Sequence, residues 1–365
     1  ALIVLLSAFS PPLFTNAFAL SIEEESKLGR KFVAQIRKYF ELVEDEFANQ
    51  FITNLGEYLI IPLGRKNFPF HFYIIKDHTL NAFAAPGGHI FIFSGLVEAM
   101  ATLDELAAVI CHEIGHISAR HLSKRMEQSK KISLATMAGI LAGALIGGDL
   151  SQAMMAGSMA AGMQAQLHYS RIDESQADQL GFEYMEYSGF DPSALIKALK
   201  TLGKSNWSGT DKVPAYLLTH PTGPERMSNL DAMFSHFKPG SPNREVLQLK
   251  SDFSLFKVIL RAKCLDSEEA ERLFLLDLEK DRSSFLPHFG LGIVYKDRSE
   301  YELAIPHFRS ALEAEPDSVP ILRNLGETYQ LGGQEREAIS VLEKALELDS
   351  QNRSLLFILA LSYES

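Results

Sequence analysis

Cysteine is nearly absent from this chain: two residues in 365, Cys111 and Cys264. Two cannot build a disulfide framework, and Cys111 reads as a small buried apolar residue. Basic residues are the minority, 35 Lys and Arg against 46 Asp and Glu, leaving a net charge of −11. That balance argues against a nucleic-acid partner and against binding anionic lipid by charge alone. An unbroken apolar run of the ~20 residues that a spanning helix needs is also missing. What is present is ordinary: 46% hydrophobic and 22% charged residues, enough for a sizeable core. The length predicts two domains or three.

The first residues do not look like part of that core. Ala1 to Phe9 is almost wholly apolar, Pro11-Pro12 breaks the run, and Ala17-Phe18-Ala19 is a small-x-small pattern of the kind signal peptidase cuts. Residues 1–19 are therefore read as a truncated export signal, with a mature start near Leu20 and a periplasmic destination. No Cys follows the cut, which disfavours a lipoprotein anchor.

Ser21 followed by three glutamates is a helix start. Leu28, Phe32, Ile36 and Phe40 then recur at helical spacing, as do Val43, Phe47, Phe51, Leu55 and Leu59 in a second helix. Both stripes are expected to pack on the helix described next. Phe68 to Lys76 reads as a strand. Asn81-Ala82-Phe83-Ala84-Ala85-Pro86-Gly87-Gly88 and the run to Phe93 read as two extended pieces around a turn. Pro confines the first piece to an edge or a strand end, where it would either pair with an extended peptide or close an ordinary hairpin. Ser94 is expected to cap a short helix, and Thr102 with Glu105 to form a capping box.

That box opens the helix carrying the chemistry, Leu103 to about His121. It contains His112-Glu113-Ile114-Gly115-His116. Two histidines four apart lie on one helix face, about 6 Å apart along the axis, so both imidazoles reach one metal ion. Zinc suits neutral imidazole, and Glu113 beside that face can take a proton from water. A third ligand is sought downstream. Residues 132–167 are rich in Ala, Gly and Met and nearly uncharged. They read as a helical hairpin over the site, as a peripheral membrane contact, or, least of all, as a transmembrane hairpin. Then come Glu174 and Asp178, four apart on a helix. Glu174 can ligate, while Asp178 can accept the free N–H of a ligand histidine. Asp173, Glu183 and His168 are weaker candidates for the same ligand role.

His112-Glu-x-x-His116 followed by Ser170-Arg171-x-x-Glu174-x-x-Ala177-Asp178 resembles the gluzincin metallopeptidase family, over roughly residues 20–236. The resemblance implies one Zn2+ per chain on His112, His116 and Glu174, Glu113 as the base, and Asp178 orienting a ligand. It favours Asn81, Ala82, Phe83 and Ala84 as a substrate-pairing strand. Thr219-His220-Pro221 and Arg226 resemble family features too. His220 is then expected near the zinc, at its fourth position or donating to the developing oxyanion. Arg226 either braces this segment or binds the intermediate.

From Phe285 the chain repeats every 34 residues: Leu291, Leu325 and Leu359 align, as do Tyr295, Tyr329 and Tyr363. This is the tetratricopeptide pattern of stacked helix pairs, whose faces bind peptides or proteins. The expected architecture is thus mainly α. A zincin-like catalytic domain with a small β-sheet spans 20–236, a linker or degenerate repeat 237–283, and a TPR α-solenoid 284–365, its last repeat incomplete. The resemblance and the export signal together imply proteolysis of misassembled outer-membrane β-barrel proteins, with the assembly machinery docked on the TPR array. The competing reading is a TPR chaperone or assembly scaffold whose protease site is latent.

Overall fold

The computed structural model describes residues 21–64, 69–128, 169–204, 214–235, 237, 240 and 242–364. The export-signal reading, the segment 132–167 and His168 lie outside the described residues. Helix α1 (Ile22–Tyr39) starts on the expected cap, where Ser21 and Glu24 exchange side-chain and backbone hydrogen bonds. Helix α2 (Glu46–Leu59) follows, then β1 (His71–Ile75), β2 (Ala82–Ala85) and β3 (His89–Phe93). The strands form one sheet in the order β1-β3-β2, with β1 parallel and β2 antiparallel to the central β3.

All five β3 residues are buried because the sheet is covered on both faces. Alternation sends Phe91 and Phe93 to one face, against Phe32, Ile36 and Phe40 of α1. Ile90 and Ile92 go to the other, the main core with α2 and the motif helix. The α1 stripe therefore packs on the sheet, not on the motif helix as its pattern was read. An amphipathic stripe says that a helix is buried, not against what.

Two caps differ from expectation. Helix α3 (Ser94–Ala99) has Ser94 inside it, and the hydroxyl binds the Asp77 backbone instead, donating to its carbonyl at 2.9 Å. At α4 (Leu103–Ser118), Thr102 accepts from the Glu105 N–H, but Glu105 turns back to the Ala101 N–H rather than completing the box. Helix α4 is buried along nearly its whole length. A left-handed residue, Arg120 (φ 55°), separates it from α5 (His121–Gln128).

Helix α6 (Arg171–Tyr187) crosses α4 at two glycines. A methyl on Gly115 would sit 2.8 Å from the Ala177 carbonyl oxygen, and one on Gly181 would sit 3.3 Å from the His112 nitrogen. This close approach lets short side chains from both helices meet. We expect Gly115→Ala to lower the melting temperature. Overpacking costs about 1–3 kcal/mol, which outweighs the helix-propensity gain of about 1 kcal/mol. Gly203→Ala, at a position with open space around it, is the control and should not destabilise. Equal or higher melting for Gly115→Ala would contradict the tight crossing.

The remaining elements are α7 (Ala194–Gly203), α8 (Ala215–Thr219), α9 (Pro224–Phe234), α10 (Arg244–Cys264), α11 (Ser267–Lys280), α12 (Phe285–Asp297), α13 (Tyr301–Ala314), α14 (Val319–Leu331), α15 (Glu335–Leu348) and α16 (Arg353–Glu364). Helix α10 joins the two parts. Its Phe256 stacks on Phe51 of α2 with ring centroids 4.4 Å apart, and its other neighbours include α11 and α12. In the repeats, Gly292 and Gly326 sit under Phe308 and Leu342, each pair offset by the period. Ala304, Ala338, Ala311 and Ala345 are fully buried at the remaining shared positions. Cys111 and Cys264 are both buried and free. Among the described residues no helix is long and apolar enough to cross a membrane.

Candidate metal centre

Helix α4 presents His112, Glu113 and His116, each at most 1% exposed. Helix α6 brings Glu174, one turn before the Ala177 crossing, and Asp178 one turn after Glu174. The end of α8 brings His220, and α9 brings Arg226. Glu113 and His112 both stay inside because α4 is enclosed on every side, so the motif lies in a dry environment where charge interactions are strong.

Four side chains converge. His112 Nε2 lies 3.0 Å from His116 Nε2, and each lies 3.5 Å from a Glu174 oxygen. His220 Nδ1 is 3.2 Å from His112 Nε2 and 3.0 Å from Glu174 Oε1. Donors around zinc at its usual bond lengths stand about 3.3 Å apart in a tetrahedron. These separations match that edge, and the four residues offer one ligand atom each within 4.8 Å of one another. Imidazole nitrogens and a carboxylate, brought together and buried, fit a divalent cation.

The electrostatics point the same way. Burial opposes charge on His112, but the Asp178 and Glu174 carboxylates overcome it and lift its pKa to about 9. At His116 burial wins and holds the ring well below the usual histidine range. Burial would raise Glu174, yet His220, His112 and His116 together hold it well below the ordinary carboxylate value. Glu113 is the exception: burial dominates and raises it, against the pull of His220 and His112. Among the described residues neither Glu113 oxygen has a well-formed hydrogen bond, nor does His220 Nε2, which faces Glu113 Oε1 at 3.5 Å.

The flanking residues hold this cluster. His112 Nδ1 lies 2.9 Å from Asp178 Oδ1. Arg226 grips Asp178 with a two-pronged contact, at 2.9 and 2.7 Å, and reaches Glu174 Oε2 at 2.5 Å. It also donates to the Pro221 carbonyl at 3.3 Å, tying down the His220 turn. Of Arg226's two expected roles, the geometry favours bracing.

Strand β2 (Ala82–Ala85) is an edge strand by its place in the sheet, but all four residues are buried, and Asn81 with them. Helix α4 packs on it, and the Ala84 backbone N–H helps to hold down the Glu113 pKa. Asp173 and Glu183 do not join the cluster. Asp173 completes the α6 capping box by accepting from the Ser170 N–H and pairs with Arg125 at 3.0 Å, and Glu183 is exposed.

Three residues near the site went unread in the sequence. The Tyr169 ring lies 3.8 Å from that of His116, Tyr216 stacks on His220 at 4.5 Å, and His121 touches His116. Tyr216 was legible as a helical i,i+4 neighbour of His220. The other two carried no spacing signal.

Known proteins with this arrangement can now be named. The model for peptidase family M48 matches residues 46–234, and a tetratricopeptide-repeat model matches residues 283–351. The beta-barrel assembly-enhancing protease of Yersinia pestis is 34% identical over 233 residues, covering 63% of this chain and 48% of that protein. The Escherichia coli K12 protein of the same name is 30% identical over 347 residues, 93% of this chain and 70% of that one. Metalloprotease LoiP of Escherichia coli is 29% identical over 158 residues, 43% of this chain and 59% of LoiP. The chain spans about half the length of the Yersinia relative. With the family model covering more than half of its residues and the four-residue site lying inside the match, the chain belongs to peptidase family M48.

Proposed function

We propose that this chain is a zinc-dependent endopeptidase of the cell envelope. The observation that carries the reading is the buried set His112, His116, Glu174 and His220 with donor atoms spaced as around one metal ion, and Glu113 beside it without a well-formed hydrogen bond among the described residues. His112, His116 and Glu174 would hold the ion, which when bound supplies a Lewis acid and lowers the pKa of water. Glu113 accepts the proton of the attacking water and returns it to the leaving nitrogen as the C–N bond breaks. Asp178 and Arg226 keep His112 and Glu174 in place. Residues Asn81 to Ala84, buried in the resting state, would pair with an extended substrate backbone once the site opens. Export to the periplasm rests on the reading of residues 1–19. The relatives' names speak of beta-barrel assembly; the family resemblance extends this to misassembled outer-membrane β-barrel proteins as substrates, with assembly machinery on the TPR array.

Cleavage of casein by the purified chain tests the chemistry. Activity should vanish with a chelator and return with zinc. Activity indifferent to the chelator would sink the reading.

The closure of the site favours a second reading alongside the first. His112, Glu113, His116 and His220 are all buried, and β2 is covered. The resting enzyme is then latent, His220 being the further residue that would hold the ion, and the TPR array acts as a scaffold until the site opens. We expect His220→Ala to raise basal casein cleavage and to weaken zinc binding by roughly tenfold. No change in either quantity would refute this role for His220. A cellular phenotype that survives Glu113→Gln but not removal of the TPR array would favour the scaffold.

A further inference from the structure

We infer that His121 is a positioning residue that sets the tautomer of His116, so that the His116 Nε2 lone pair faces the metal position. The inference rests on the metal-site reading above and adds a residue to it. His121 is 1% exposed and sits at the start of α5, five residues after His116. Its Nδ1 lies 2.9 Å from His116 Nδ1. Two ring nitrogens at that distance share one proton, so one ring donates and the other accepts.

The far side of His121 decides which. Its Nε2 lies 3.0 Å from Gln176 Oε1 and 3.6 Å from Asp173 Oδ1. Gln176 Oε1 is the hydrogen-bond acceptor for that nitrogen, and the Asp173 carboxylate, at 3.6 Å beyond hydrogen-bond reach, favours a proton there by its charge. His121 must therefore carry its proton on Nε2 and accept at Nδ1. His116 then donates from Nδ1, leaving Nε2 as a lone pair. The opposite arrangement would put a proton on His116 Nε2, pointing at His112 Nε2 only 3.0 Å away, and would block the ligand atom. His112 is oriented instead by the Asp178 carboxylate, 2.9 Å from its Nδ1, which turns its Nε2 toward the metal position. The two ligand histidines are thus oriented by different chemistry, one by an anion and one by a neutral ring.

The backbone is built for this contact. An uninterrupted helix would carry residue 121 about 140° around the axis from residue 116. The left-handed Arg120 (φ 55°) ends α4 and turns the chain so that His121 folds back. Arg120 is held in turn by Glu25 of α1, which accepts from its Nε at 2.9 Å and its Nη2 at 2.7 Å.

The test is zinc affinity, by competition with a chromogenic chelator, for the full chain and two variants. His121→Asn keeps an acceptor near the Nδ1 position. His121→Leu keeps the volume without one. We expect the Asn variant within about threefold of wild type and the Leu variant 10–100-fold weaker, as is usual on losing a ligand's hydrogen-bond partner. Both variants should keep a cooperative metal-free melt, and the Asn variant should keep zinc affinity even where its melting temperature falls, which a purely structural role would not predict. Equal affinity in all three proteins would overturn the inference. Side-chain 15N shifts of the metal-free wild type give an answer that needs no variant to fold. His116 should be the Nδ1–H tautomer and His121 the Nε2–H tautomer, and an Nε2–H His116 would overturn it. A wild type that takes up no zinc would count against the peptidase reading, while the tautomers would still decide this one.

Discussion

Glu113→Gln should lower kcat/KM for casein by about 10²- to 10⁴-fold while the protein still binds its metal, because general-base catalysis is worth that much. The same substitution should stabilise the metal-free protein at neutral pH. Glu113 is fully buried and, among the described residues, neither oxygen has a well-formed hydrogen bond. An unsatisfied buried group costs about 1–3 kcal/mol, more when charged. Burial raises the Glu113 pKa above its ordinary 4.5. A carboxyl with a raised folded pKa leaves stability intact at low pH and erodes it as the unfolded chain ionises first. The stabilisation by Gln should therefore be absent below about pH 4.5 and grow above it. Thermal melts of both proteins across pH, with chelator present, test this. A Gln variant less stable than wild type at pH 7 would mean that Glu113 has partners the described residues do not supply. The site would then be a case in which a group needed for chemistry is held at a cost to the fold.

Arg226→Ala carries the largest expected loss of stability. The guanidinium stands between two buried carboxylates, Asp178 and Glu174, each 2% exposed. Removing it leaves both with only their histidine neighbours, and breaking a buried pair from one side costs about 3–5 kcal/mol. Arg226→Lys keeps the charge but not the fork that holds Asp178 by two bonds, so it should recover only part of the loss. The control is Arg171→Ala. Arg171 pairs with Glu225 at 2.9 Å, but both side chains are largely exposed. That pair is worth at most about 1 kcal/mol. Urea unfolding of the metal-free proteins separates the two cases. Equal midpoints for Arg226→Ala and Arg171→Ala would mean that the arginine does not brace the site.

The parts of this molecule that were legible from sequence share one property: their meaning is local. His112 and His116 needed only helical spacing, and so did Glu174 with Asp178. The repeats needed only a period, because Gly292 and Gly326 meet the same kind of neighbour one unit apart. Destinations across the chain were harder to read. The α1 stripe was recognised, but the sheet face that it covers was not, since Phe83, Phe91 and Phe93 lie more than forty residues away. Ser94 looked like a cap because serine often is one, yet its hydroxyl had a better partner in Asp77. Pro86 marked β2 as an edge without indicating that all four of its residues would be buried. His121 was hidden for another reason. Helical spacing takes it off the ligand face, and only the left-handed turn at Arg120 returns it. No pattern of residue types announces that turn.

The claim beneath all of this is that His112, His116 and Glu174 form one metal centre. The most direct measurement is the metal content of the purified chain by elemental analysis, for wild type, Glu113→Gln and His116→Ala, alongside casein cleavage. The account predicts one zinc per chain in wild type and Glu113→Gln, almost none in His116→Ala, and cleavage in wild type alone. A folded wild type without metal, or zinc retained in full by His116→Ala, would contradict it.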